Sequence, residues 1–62
     1  MATKVRYAAT IARAKDGTIR IRVARGDPSP TEADEVLVEV LYGDDEEGLK
    51  ERAVKFAREE VS

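Results

Sequence analysis

The first half of the chain alternates between apolar and other side chains with a period of two. Apolar residues occupy odd positions in two runs: Val5, Tyr7, Ala9, Ile11, then Ile19, Ile21 and Val23. Because successive side chains of a β-strand point to opposite faces, this alternation predicts one strand over 3–14 and a second over 18–25. The odd positions are predicted to form a buried face, and the even positions the opposite face.

The loop between these strands sets their register. A two-residue turn at Asp16-Gly17 would place Ile11 opposite Arg22, which belongs to the other face. A three-residue loop, Lys15-Asp16-Gly17, instead pairs Ile11 with Ile21. We therefore predict a type I turn followed by a bulge with Gly17 in the left-handed conformation.

The segment after the second strand contains Gly26, Pro28 and Pro30, which do not fit inside a β-ladder. It is predicted to form at most one short helical turn. Residues 36–42 are rich in β-branched side chains and alternate again, which predicts a third strand. Its even positions are predicted to share the buried face, and its odd positions the opposite one: Val36, Val38, Val40 and Tyr42 against Glu35, Leu37, Glu39 and Leu41.

The last third of the chain has the pattern of an amphipathic helix. Asp44 is predicted to be its N-cap, with Glu47 completing a capping box, and the helix is predicted to run to about Val61. Its apolar side chains recur at helical spacing: Leu49, Ala53, Phe56 and Ala57. Gly48, early in the helix, costs about 1 kcal/mol relative to alanine, and the sequence offers no reason for it.

These elements predict one α+β domain over residues 1–62. The simplest arrangement is a three-stranded antiparallel meander sheet in the order 1-2-3, with the C-terminal helix packed on one face. In that order the first strand is an exposed edge. It has no charged residue between Tyr7 and Ala12, and therefore lacks a usual protection against pairing with another chain.

Composition excludes several kinds of chemistry. The chain has no cysteine and no histidine, so disulfides, thiolate metal sites and imidazole acid–base catalysis are absent. No catalytic motif occurs, and we expect no enzymatic activity, no metal and no cofactor. No apolar run approaches the ~18 residues of a membrane span. We expect a soluble chain, cytoplasmic if it is natural.

The candidate binding surface is the face of the sheet that the helix leaves open, together with the edge of the first strand. The predicted contact residues are Tyr7, Ala8, Thr10, Ala12, Arg20, Arg22, Leu37 and Leu41. In one interpretation Arg20 and Arg22 only pair with Glu35 and Glu39 and keep the chain soluble. In a second, a target protein or a second copy of the chain docks on the surface.

Nucleic acid is a third possible partner, because residues 1–26 hold seven basic residues and one acidic residue. Residues 27–62 hold four basic and twelve acidic residues, and the two parts can neutralise each other on folding. The net charge of −2 and the absence of an aromatic side chain for base stacking on the open face disfavour nucleic acid.

Two resemblances extend these predictions. Residues 42–57, "YGDDEEGLKERAVKFA", are similar to the strand-to-helix corner of HicB-type antitoxins, which also begin with a β-hairpin and a third strand. That resemblance implies an antitoxin that neutralises an RNA-cleaving toxin. It assigns no role to an individual residue.

The wider resemblance is to computationally designed miniproteins. "DPSPTEADEVLVEVLYGDDEEGLKE" and "AKDGTIRIRV" resemble their regular caps, alternation and bulged loop, and the chain lacks Cys, His, Trp, Asn and Gln. This resemblance implies a thermostable scaffold, or a designed protein-binding module. We therefore expect a scaffold or a protein-binding domain, with a small natural antitoxin-like or nucleic-acid-binding domain as the alternative.

Overall fold

The computed structural model describes residues 5–61 and contains three strands and one helix. The strands are β1 (Tyr7–Ala14), β2 (Ile19–Arg25) and β3 (Glu35–Gly43), and the helix is α1 (Glu46–Val61). Both strand pairs are antiparallel, and α1 packs on one face of the sheet. The predicted α+β class, with three antiparallel strands and a C-terminal helix, is confirmed. Residues 3 and 4 of the predicted first strand lie outside the described residues.

The hairpin between β1 and β2 has the predicted loop and register. Gly17 has a φ of 90°, the left-handed conformation that a glycine adopts without strain. The amide of Ala14 donates to the carbonyl of Thr18 at 2.8 Å, and Ile11 pairs with Ile21. The Asp16 carboxylate accepts from the hydroxyl and the amide of Thr18. These two hydrogen bonds lower the pKa of Asp16.

The order of the strands is β2-β1-β3, so the predicted meander order is wrong. β1 is the central strand. Residues 26–34 connect β2 to β3 and pass over β1 on the face of the sheet opposite α1. We call residues 26–34 the crossing segment. Two outer strands of such a sheet lie about 10 Å apart, a distance that nine residues span easily. Both edges of β1 are therefore occupied, and the predicted binding edge on this strand does not exist.

A β-bulge interrupts the pairing of β1 with β3 between Ile11 and Ala12. Ile11 pairs with Glu39, whereas Ala12 pairs with Leu37, so Val38 is the extra residue. One added residue exchanges the two faces of a strand beyond it. The prediction for the C-terminal part of β3 is consequently wrong: Leu41 packs on the core beneath α1, and Tyr42 pairs with Ala8 on the other face.

The core lies between the sheet and α1. Ala9 and Ile11 from β1 contact Leu49 and Ala53 from α1, and all four are at most 1% exposed. Partly buried side chains surround this centre: Tyr7, Ile19, Ile21, Val23, Val38, Leu41 and Phe56. The predicted apolar stripe of the helix is confirmed. Because the centre is built around alanines, the helix can approach the central strand closely.

The helix begins one residue later than predicted, and its cap accounts for Gly48. The Asp45 Oδ2 atom accepts a hydrogen bond from the Gly48 amide at 3.2 Å, so Asp45 is the N-cap rather than Asp44. A Cβ atom on Gly48 would lie 2.8 Å from the same oxygen. Glycine therefore lets this carboxylate sit directly against the first turn.

Candidate binding surfaces of the sheet

The central strand is covered on the face of the sheet opposite α1, which contradicts the prediction that Ala8, Thr10 and Ala12 line an open contact surface. Ala8 and Ala12 are 0% exposed and Thr10 is 1% exposed. The crossing segment lies over this face, since the Thr10 hydroxyl donates to the carbonyl of Ser29 at 3.0 Å. These three residues are therefore unavailable to a partner in this fold.

Small side chains on β1 make this cover possible. A peptide backbone can lie against a sheet only where the side chains beneath it are short. Ala8, Thr10, Ala12 and Ala14 supply such a row along the even positions of β1. The absence of charge between Tyr7 and Ala12, which predicted an exposed edge, instead results from burial on both faces.

Glu35, at the start of β3, fastens the crossing segment to the sheet. Its side chain is 0% exposed. Oε1 accepts from Arg22 Nη2 at 2.6 Å and from the amide of Glu32 at 2.9 Å. Oε2 accepts from Arg20 Nη1 at 3.1 Å and from Arg22 Nη1 at 3.2 Å. The carboxylate thus reaches over the small side chains of β1 and joins β3 to β2.

The charge of this cluster is strongly favoured. Hydrogen bonds from the Arg22 guanidinium, followed by the bond from the Glu32 amide, lower the pKa of Glu35 to about 2, although burial acts in the opposite direction. The same pairing raises the pKa of Arg22. Glu35 and Arg22 therefore both carry their charges at neutral pH.

The two arginines singled out by the sequence are thus structural. Their predicted pairing with Glu35 is confirmed, and Arg20 also lies 3.5 Å from Asp34. The predicted pairing with Glu39 is wrong, because Glu39 is opposite Ile11 on the face that α1 covers. Arg22 Nη2 also donates to the carbonyl of Pro30 at 3.2 Å, a second tie to the crossing segment.

The remaining predicted contact residues are separated from one another. Tyr7 and Leu41 pack against the core on the α1 side of the sheet. Leu37 lies opposite Ala12 and is 52% exposed. The structure does not bring the eight residues into one exposed surface.

The outer edge of β3 is partly blocked. Alternate residues of an edge strand direct both backbone groups outward. The outward amide of Val40 donates to its neighbour Glu39, and the carbonyl of Tyr42 accepts from Arg52 of α1. Leu37 has no such side-chain partner among the described residues, but it lies beside the bulge, which bends the strand.

The outer edge of β2 is open. Hydrogen bonds from the Ala14 amide to the Thr18 carbonyl and from the Gly26 amide to the Arg6 carbonyl flank the β1–β2 ladder. Because hydrogen-bonded pairs alternate along an antiparallel ladder, the backbone groups of the even residues of β2 bond to β1. The backbone groups of the odd residues therefore point outward: Ile19, Ile21, Val23 and Arg25. Within residues 5–61 no side chain bonds to these groups. The side chains of Arg20 and Arg22 do not shield these backbone groups, because Glu35 holds them over the face of the sheet opposite α1.

A groove runs beside this open edge, between β2 and α1. It is lined by Ile21 and Val23 of the strand and by Glu46, Lys50 and Val54 of the helix, with a volume of ≈ 400 Å³. The two strand side chains are half-buried, and Val54 is 38% exposed. The helix thus leaves part of the apolar row of β2 uncovered. Sequence analysis does not predict this groove, because in a meander β2 would be the central strand.

A second depression lies at the other end of the sheet. It is lined by Val5, Arg6, Tyr42, Gly43 and Asp44. The Arg6 guanidinium lies 4.6 Å from the centroid of the Tyr42 ring, a cation–π contact that occupies both side chains.

Over residues 5–61, no three acidic side chains come close enough together to hold a metal ion. The helix of this region has neither the length nor the apolar composition to cross a bilayer.

Comparisons with known proteins give no relative. No family model matches the chain, and neither a curated protein nor a solved structure matches it.

Proposed function

We propose that this chain is a protein-binding module without catalytic activity, and that it binds an extended segment of another protein by strand addition at β2. The observation that carries this proposal is the open edge of β2 beside the groove against α1. An incoming strand would bond to the outward backbone groups of Ile21 and Val23. Its alternate side chains would enter the groove and contact Val54.

The other edges and faces of the sheet are already partly or fully occupied, which supports the choice of β2. β1 has neighbours on both sides, and its non-helical face lies under the crossing segment. The edge of β3 uses Glu39 and Arg52 to occupy two outward backbone groups. The alternative of nucleic-acid binding by the basic hairpin is weakened by the net charge of −2, which disfavours approach to a polyanion.

A designed origin fits the same proposal. The glycine bulge at Gly17, the N-cap at Asp45 and the alternation of β2 all follow local rules that agree with the fold. Under this origin the module is a thermostable scaffold with one strand edge left available. The resemblance to HicB-type antitoxins stays a prediction.

The proposal is tested with a displayed library of short peptides and a pair of variants at Val23. Val23→Pro removes the outward amide but leaves the bonds between β2 and β1 intact, because proline is tolerated on the outer side of an edge strand. Val23→Ala shortens the side chain and keeps the amide. Peptides selected by the wild-type chain are expected to bind Val23→Ala with moderately reduced affinity and to lose binding to Val23→Pro.

Far-ultraviolet circular dichroism on both variants checks that the fold is retained. Amide chemical shifts in a ¹⁵N-labelled chain are expected to change at Ile21 and Val23 when peptide is added. A selected peptide that binds both variants equally, or that shifts only residues of β3, contradicts strand addition at β2. If selection yields no binding peptide, the scaffold alternative replaces the proposal.

A further inference from the structure

We infer that the strand added to β2 alternates apolar and acidic residues, and that it comes from a different protein rather than from a second copy of this chain. This inference rests on the proposed function. It concerns the chemistry of the partner, which the charges along β2 and along the groove determine.

The β2 strand carries Arg20, Arg22 and Arg25 and no acidic residue. The side chains of Arg20 and Arg22 remain 41% and 31% exposed, although they bond to Glu35. The Glu35 carboxylate itself is inaccessible, whereas the Asp34 carboxylate, 3.5 Å from Arg20, is 48% exposed. The partly exposed guanidinium groups of Arg20 and Arg22 therefore border the open edge on the face of the crossing segment.

The two faces of an added strand meet different surroundings. Residues paired across two strands lie on the same face. Partner residues opposite Ile21 and Val23 would face the groove beside Val54, where apolar side chains bury surface. Partner residues opposite Arg20 and Arg22 would face the guanidinium groups, where carboxylates are favoured. The preferred segment therefore alternates apolar and acidic residues.

The same arginines disfavour pairing between two copies of β2. In an antiparallel dimer that places Ile21 opposite Ile21, Arg20 of each copy lies opposite Arg22 of the other. If Ile21 is instead opposite Val23, the two Arg22 side chains lie opposite each other. Like charges directly opposite destabilise a strand pair. The arginine row thus selects against self-association while it favours an acidic segment.

Three fluorescently labelled peptides of equal length test the inference: alternating Val/Glu, Val/Thr and Val/Lys. Their dissociation constants are measured by anisotropy at low and high salt, with Val23→Pro as the control for position. The Val/Glu peptide is expected to bind about fivefold more tightly than Val/Thr, and Val/Lys more weakly than both. This preference is expected to shrink as salt screens the exposed charges. Sedimentation of the chain alone is expected to show a monomer.

Strand addition at β2 and the acidic preference of the partner are contradicted by different results. If the three peptides bind equally and Val23→Pro abolishes binding of all three, strand addition stands and the acidic preference is overturned. A β2-mediated dimer, lost in Val23→Pro, overturns the inference in favour of a second copy. If no peptide binds, or if Val23→Pro leaves binding unchanged, both the inference and the proposed function fail.

Discussion

Replacing Thr10 by valine tests whether the crossing segment covers the sheet. The two side chains have nearly the same shape, so the change leaves no cavity. It removes the hydroxyl that donates to the Ser29 carbonyl at 3.0 Å, at a residue that is 1% exposed. A hydrogen bond contributes about 0.5–1.5 kcal/mol net to the free energy of unfolding, and the Ser29 carbonyl that would lose its donor is partly buried. We expect Thr10→Val to lower the free energy of unfolding by about 1 kcal/mol.

Urea denaturation followed by circular dichroism measures this loss directly. In a domain of this size, a loss of 1 kcal/mol also lowers the midpoint of thermal unfolding by about 4–8 °C. Thr31→Val is the matched control, because Thr31 is exposed and we expect its substitution to change stability by no more than about 0.5 kcal/mol.

The sign of the result at Thr10 is decisive. On an uncovered face Thr10 would be exposed to water, and valine, which favours β-strands, would be neutral or stabilising. A Thr10→Val variant that is as stable as the wild type would therefore refute the burial of this face.

Two further predictions concern the Glu35 cluster and the helix cap. Since the pKa of Glu35 falls from 4.5 to about 2 on folding, the stabilisation by its charge is complete above pH 4.5. It is expected to disappear progressively as the pH falls towards 2, and Glu35→Gln is expected to flatten this part of the stability–pH curve. At the cap, Gly48→Ala is expected to gain less than the usual ~1 kcal/mol, because its Cβ displaces the Asp45 carboxylate, and to gain the full amount in an Asp45→Ala background. Equal gains in the two backgrounds, measured by urea denaturation, would contradict the explanation of Gly48.

The hairpin and the helix stripe could be predicted because each depends on local spacing. The three residues of the Lys15–Gly17 loop leave only one register that keeps Ile11 and Ile21 on one face. The apolar spacing of Leu49 and Ala53 identifies the buried side of α1 in the same way.

The strand order could not be derived from alternation. The orders 1-2-3 and 2-1-3 place the same residues of β1 and β2 on the same faces, so the apolar pattern does not distinguish them. The informative signal was the run of small, uncharged residues from Ala8 to Ala12. Such a run indicates a strand buried on both faces, whereas in the meander order it is an unprotected edge.

The candidate site depended on this strand order and was therefore mostly misplaced. With β1 in the centre, Ala8, Thr10 and Ala12 became buried. The bulge after Leu37 moved Leu41 to the core, and no residue in "VLVEVL" marks the position of that bulge. The open edge of β2 follows only from the observed topology.

Hydrogen exchange at individual backbone amides, followed by NMR, tests the central claim that β2 rather than β1 has the open edge. With β1 in the centre, the amides of Ile11 and Arg22 are in ladders and exchange slowly, whereas those of Ile21 and Val23 point outward and exchange rapidly. In a meander the outcome is reversed for the odd positions: Ile21 and Val23 would be protected and Ile11 would exchange rapidly. The first pattern is the one we expect, and the second would contradict the fold and the binding edge together.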